Sequence, residues 1–230
     1  EQPNANPGFL GLESSWNYGV NLTHDFTLGG RDGQLMFDAF RTVFTNQIIV
    51  DAEQDIQSLR LYQLDGISRA NSLLVSLTYE ILPLIDVKLA YKYNDVQQTY
   101  ATNGLREVPL TPRHRALATI GYDGARFKAH LNYHWTGEQR LIDFDGIPAS
   151  VFLPHPQWAP AFGLLNVNLT YVANGRTEFY FGGENLTGRT QRDAIIGAWE
   201  PFDGGYFDAS QVYQPLFGRI IYAGIRYTIE

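Results

Sequence analysis

Near the end of the sequence, apolar and polar or small side chains alternate: Ile221, Ala223, Ile225, Tyr227 and Ile229 fall on one side, and Tyr222, Gly224, Arg226 and Thr228 on the other. Successive side chains of a strand point to opposite faces, so the segment has one oily face and one that tolerates charge. The pattern recurs upstream. Tyr18, Val20, Leu22, His24, Phe26 and Leu28 interleave with Asn17, Gly19, Asn21, Thr23, Asp25 and Thr27. Val87, Leu89, Tyr91 and Tyr93 alternate with Lys88, Ala90, Lys92 and Asn94, and Phe127 to Trp135 with Lys128 to Thr136. Leu73 to Tyr79 and Leu165 to Tyr171 repeat it. Strands this long exceed the five or so residues usual in soluble sheets and approach the roughly 9–11 that a tilted strand needs to cross a bilayer. The expectation is an all-β protein, an antiparallel transmembrane β-barrel. A soluble antiparallel sandwich also alternates, one face meeting a core and the other water.

Composition narrows the choice. Hydrophobic residues make up 44% of the 230, yet no run approaches the ~18 apolar residues of a membrane helix, so a membrane span must be made of strands. Fourteen Tyr, fourteen Phe and four Trp suit aromatic girdles at the two interfaces of a barrel, and equally a sugar-binding β protein. The absence of cysteine excludes disulfides and thiolate metal sites. A net charge of −7 argues against nucleic acid. Residues from Glu1 onward lack the basic and apolar regions of an export signal, so a barrel chain would belong to a longer precursor.

Turn signals fall into two alternating classes. Short ones lie at Gly29 to Gly33, Leu82 to Ile85, Asp123 to Arg126 and Ala173 to Arg176; long connections lie at about 51–71, 101–113, 137–160 and 187–216. Short periplasmic turns and long external loops are the rhythm of an outer-membrane barrel. About nine strands are expected, at 15–28, 34–50, 58–80, 86–100, 113–122, 127–139, 162–172, 177–185 and 217–229. An odd number with first and last running the same way cannot close as a regular antiparallel barrel. In the second strand Arg41 interrupts the oily face, which calls for a bulge there or for the strand leaving the hydrocarbon at that point.

Trp16 to Leu22 at the head of a strand, Phe179-Tyr180-Phe181-Gly182-Gly183-Glu184-Asn185-Leu186-Thr187 leading into a loop, and the closing Gly218 to Tyr227 strand resemble the C-terminal part of the barrel of TonB-dependent outer-membrane receptors. The resemblance spans nearly the whole chain. It implies a 22-stranded barrel in the bacterial outer membrane, of which this chain supplies the last nine strands, filled by an N-terminal plug domain. It also implies import of a scarce nutrient, most often a ferric siderophore or other metal chelate, driven through TonB. The expected partners are outer-membrane lipid, the plug of the same full-length chain, TonB and the chelate. Neither plug nor TonB-contacting segment is present in these residues, and both are expected upstream. Tyr227 and Ile229 carry the assembly signal of the closing strand, although Glu230 stands where many such barrels end in an aromatic residue.

Candidate ligand contacts lie in the two longest loops. Phe144 and Trp158 belong to the first, with Phe152 and His155; Trp199, Asp203, Tyr206 and Tyr213 belong to the second. Aromatics beside carboxylates stack on a planar chelate or a sugar and hydrogen-bond its rim; the same residues would also pack loop on loop or anchor at the membrane interface. Arg140, Arg189 and Arg192 near the loop bases could attract an anion. His130 and His134 share a face but stand roughly 13 Å apart on a strand, too far to chelate one ion, so no metal site or cofactor is expected. Nucleophile elbows, His-Glu-x-x-His and phosphate-binding glycine loops are absent, so no catalytic residue is expected and the chain is read as a non-enzyme. Two other readings remain, a soluble all-β sugar-binding module and a small independent outer-membrane barrel.

Overall fold

A computed structural model describes residues 10–54, 59–142, 157–192, 194–195 and 209–229. Among them are fourteen strands: β1 (Ser14–Leu28), β2 (Arg31–Asn46), β3 (Ile48–Asp51), β4 (Arg60–Gln63), β5 (Ser68–Leu82), β6 (Ile85–Tyr100), β7 (Gly104–Glu107), β8 (His114–Asp123), β9 (Phe127–Thr136), β10 (Gln139–Arg140), β11 (Trp158–Ala159), β12 (Phe162–Asn174), β13 (Thr177–Glu184) and β14 (Ile220–Tyr227). Nine of them form one antiparallel wall in the order β1-β2-β5-β6-β8-β9-β12-β13-β14, with β7 added to β6. The ribbons β3/β4 and β10/β11 stand apart from it.

Tight turns join the wall strands at one end. Gly29 and Gly30, at φ of 60° and 74°, make the two-residue hairpin between β1 and β2, a conformation that only glycine adopts without strain. Between β12 and β13, Asn174 Oδ1 accepts the N–H groups of Arg176 and Thr177 at 2.9 and 3.0 Å, closing the turn with its own side chain. All the long connections emerge at the other end.

The expected strands hold with three adjustments. The single strand at 34–50 divides at Gln47 into β2 and β3, and that at 58–80 into β4 and β5 around Gly66, whose φ is 136°. Thus β3 and β4 pair with each other, not with the wall. At Arg41 the pairing runs unbroken from Ser15/Phe44 to Leu28/Arg31, and the register shift falls between Ser14 and Ser15 instead. No bulge sits at Arg41, where the apolar stripe of β2 gives way to polar side chains.

One face of the wall carries the apolar stripe, and no second layer covers it. Leu22 is 60% exposed and Ile225 65%. That arrangement rules out a sandwich core for these side chains. An aromatic row crosses this face near the short turns: Phe26 stacks on Tyr79 with ring centroids 6.0 Å apart, Phe127 meets Tyr171 at 5.0 Å, and Tyr171 meets Phe179 at 6.5 Å. Towards the long loops the stripe ends abruptly. Tyr18 faces Arg41, Arg41 faces Asn71, and Asn71 faces Asp95, giving one polar rung across β1, β2, β5 and β6. Asn71 Nδ2 donates to Asp95 Oδ2 at 3.3 Å along it. A band of apolar residues bounded by aromatics on one side and a polar rung on the other matches the lipid-facing surface of a membrane barrel.

The opposite face brings glycine and aromatic residues together. Gly182 lies opposite Tyr222, and Gly224 opposite Tyr180. A Cβ on Gly182 would fall 2.1 Å from the Tyr222 ring, and one on Gly224 2.3 Å from the Tyr180 hydroxyl. Each phenol ring therefore lies flat over the bare backbone of its neighbour.

Candidate functional site

The largest fully buried side chains among the described residues lie outside the wall strands. Ile49, Leu141 and Ala159 are at most 2% exposed, and all three sit in the crown formed by the long connections. β3, β4, β7, β10 and β11 build that crown.

Its polar centre is Glu53, also 2% exposed. A carboxylate in such a place needs partners, because stripping it of water costs several kcal/mol. Glu53 Oε1 receives Nη1 of Arg140, and Oε2 lies 3.5 Å from Nη1 of Arg106. Arg140 Nε donates to the carbonyl of Glu107 at 2.8 Å, and its guanidinium lies 5.9 Å from the centre of the Tyr100 ring. Asp51, buried beside it, accepts from the Glu53 backbone N–H at 2.9 Å and from the Tyr62 hydroxyl at 2.9 Å. The Tyr62 oxygen in turn accepts the Ala101 N–H at 2.9 Å. Burial pushes the Tyr62 phenol up to about 12, against the lowering effect of the Ala101 N–H, with Asp51 adding to the rise. Three connections that are far apart in sequence are thereby locked together.

A second seam joins the two longest loops. Gln211 behaves as a surrogate peptide group: its Oε1 accepts Ile142 N–H at 3.3 Å and its Nε2 donates to Ile142 O at 3.1 Å. Gln191 Oε1 accepts the N–H groups of Tyr213 and Gln214 at 2.8 and 3.2 Å, while Gln191 Nε2 donates to Gln211 O at 2.7 Å. At the foot of this loop Asn185, at φ 49°, donates to the carbonyls of Arg189 and Phe217 at 2.7 and 3.0 Å. Its Oδ1 accepts from Arg189 N–H at 3.0 Å. One side chain thus fastens the exit from β13 to the entry of β14, a physical role for the Glu184-Asn185-Leu186 segment.

The candidates from sequence fare unevenly. Phe144, Trp199, Asp203 and Tyr206 lie outside the described residues, as do Phe152 and His155. Trp158, on β11, is 44% exposed and shares a cleft of about 480 Å³ with Trp135, His114, Arg113, Glu107 and Glu138. Tyr213 is half-buried in the seam, and burial raises its phenol pKa. The two loops carrying them meet, Gln139 Nε2 donating to Tyr213 O at 3.4 Å and Gln214 Nε2 to Pro160 O at 3.5 Å. Tyr227 faces Thr177 on the apolar side, and Ile229 follows β14, strongly exposed. Arg140 differs from its expected place at an open loop base. It is buried against Glu53, so its charge is spent inside the crown; Arg189 and Arg192 remain exposed. His130 pairs with Asp123, Nε2 to Oδ1 3.3 Å, and no group of three or more possible metal ligands occurs among the described residues. Sequence reasoning passed over Glu53, Asp51, Tyr62 and Arg106, since nothing in the alternation marks a connecting segment as buried.

The polar face of β1 to β9 is unevenly charged. Asp25, Asp32, Asp38, Glu80 and Asp86 lie on β1 to the start of β6, whereas Lys88, Lys92, Arg115, Lys128 and His134 lie on β6 to β9, where Asp123, paired with His130, is acidic.

Comparison with known proteins agrees with this architecture. The family model described as TonB dependent receptor-like, beta-barrel matches residues 2–186. No curated protein matches by sequence. Among solved structures, the ferric-catecholate import receptor Fiu from E. coli K12 is 15% identical with a TM-score of 0.63, over 99% of this chain and 29% of its own. The copper transporter OprC is 14% identical with a TM-score of 0.65, over 98% of this chain and 33% of its own. A mutant of the ferric enterobactin receptor PfeA from Pseudomonas aeruginosa, in complex with enterobactin, is 16% identical with a TM-score of 0.61, over 95% of this chain and 32% of its own. The chain spans about a third of the length of these receptors.

Proposed function

The chain belongs to the TonB-dependent receptor-like β-barrel family, and on that premise we propose that it forms the C-terminal nine-stranded part of a 22-stranded barrel in the bacterial outer membrane. The full-length protein imports a scarce nutrient, a ferric siderophore or another metal chelate. Its wall strands meet lipid on one side and an N-terminal plug on the other, and TonB supplies energy through a segment outside these residues. The crown takes up the chelate, with Trp158 and Tyr213 among its aromatic contacts and Phe144, Trp199, Asp203 and Tyr206 contributed by the same two loops. Tyr227 and Ile229 present the closing strand to the assembly machinery.

The observation that carries this reading is the uncovered apolar band ending at the Arg41–Asn71–Asp95 rung, since a soluble module would not leave such a surface to water. A small independent barrel is disfavoured because β1 and β14 stand at opposite edges of the sheet, joined to no common neighbour among the described residues.

The reading is tested by deleting the full-length gene from its host and measuring uptake of radioiron presented as siderophore complexes under iron limitation. Loss of uptake that returns with the gene, and only when TonB is present, is expected. Uptake indifferent to TonB would overturn it.

A further inference from the structure

The sequence holds two Asn-Gly pairs, Asn103-Gly104 and Asn174-Gly175, and the fold treats them differently. An asparagine followed by glycine is chemically labile, because the next backbone nitrogen reaches the side-chain carbon Cγ when no Cβ stands in its way. Both glycines meet this condition, with nothing within 4 Å of where a Cβ would stand. The asparagines are what differ. Asn174 is clamped: its Oδ1 accepts the N–H groups of Arg176 and Thr177 at 2.9 and 3.0 Å, so its carboxamide cannot reorient without giving up both bonds.

Asn103 has no such clamp. Its carboxamide makes no hydrogen bond among the described residues. It lies at the tip of the β6–β7 hairpin, just before Gly104, which pairs with Tyr100 and has a φ of 68°. β7 is four residues long and pairs with β6 alone among the described residues, and the ends of such short, exposed ladders open most easily.

We propose that Asn103 is a site of spontaneous modification in the crown, losing its amide by cyclisation on Gly104. The Gly104 nitrogen gives its proton to water or hydroxide and attacks Cγ of Asn103; the N–Cγ bond forms, the Cγ–Nδ2 bond breaks and ammonia leaves. Water then opens the cyclic imide at either carbonyl. Opening at one gives aspartate. Opening at the other gives isoaspartate, in which the chain runs through Cβ and Cγ and is one backbone atom longer. No electrons are transferred, and water is the only co-reactant.

Position makes the second product consequential. Two residues before Asn103, the Ala101 N–H donates to the Tyr62 oxygen at 2.9 Å, and the Tyr62 hydroxyl donates to Asp51. A lengthened tip moves that N–H off its acceptor. The 101–113 connection then comes loose at Tyr62, with Glu53 still holding Arg106.

The test uses the full-length protein in detergent, held in mildly alkaline buffer and sampled over days, with peptides spanning the two sites weighed after digestion in acid. In the folded protein the Asn103 peptide is expected to gain the mass of an amide-to-acid change about tenfold faster than the Asn174 peptide, which must first break two hydrogen bonds. In denaturant, where the clamp is gone, the two should convert at similar rates. Asn103→Gln, whose longer side chain would have to close a larger ring, should keep its amide. Hydrogen exchange at the Ala101 amide should speed up in the isoaspartate fraction of aged wild-type protein, and should not in Asn103→Asp, which adds the charge without the extra backbone atom. Retention of the Asn103 amide in the folded protein, or conversion at Asn174 first or at the same rate, would sink the proposal. Unchanged exchange at Ala101 in the isoaspartate fraction would overturn its structural consequence.

Discussion

Glu53 shows how a single side chain sets the stability of the crown. Replacing it with Ala leaves Arg140 buried without its carboxylate, and uncompensated charges of that kind cost about 3–5 kcal/mol. The cost is local. Glu53→Ala should expose the 51–71, 101–113 and 137–160 connections to protease and speed their hydrogen exchange, while the wall keeps its protection. Tyr62 gives a second reading of the same contacts. Its neutral form is the one the fold holds, so its contribution is complete below pH about 10 and is lost as pH rises through about 12. A spectrophotometric titration of tyrosinate should therefore show a late-ionising phenol that disappears in Tyr62→Phe.

The paired elements β13 and β14 depend on two missing side chains. Gly182→Val or Gly224→Val would drive a branched side chain into the ring of Tyr222 or Tyr180, with overpacking of about 1–3 kcal/mol. The temperature at which the folded band converts to the unfolded one in a detergent gel should drop for both variants. Gly175→Ala, where nothing lies within 4 Å of the new Cβ, should leave it unchanged. At this scale the sequence was mostly transparent. Alternation located every wall strand except β5 to within about four residues, because each has an apolar and a wet side and the period of two is written along its whole length; β5 begins ten residues later than expected. The same rule failed where the chain leaves the membrane. β3 and β4 continue the extended pattern of their neighbours but turn away to pair with each other, and Gly66 is the sole local sign of the break. Asn185 carried a readable hint, since asparagine tolerates positive φ, whereas burial of Glu53 depends on Arg106 and Arg140, more than 50 residues away along the chain.

For the whole molecule, the apolar band sets where the bilayer must lie. Leu22→Arg places a charge in mid-band and should cost about 2–4 kcal/mol of folding free energy in lipid vesicles, measured on the full-length protein. Arg41→Leu, on the polar rung, should cost far less, since that position already stands at the boundary. A change of charge thus costs very different amounts at the two levels although both residues share one face of one hairpin. Locating the tightest packing in the crown, around Ile49, Glu53 and Leu141, also gives the molecule two separate reserves of cohesion. Urea draws on the first by solvating an interior that water already surrounds, and delipidation draws on the second, so the crown can be melted while the wall beneath it stays standing.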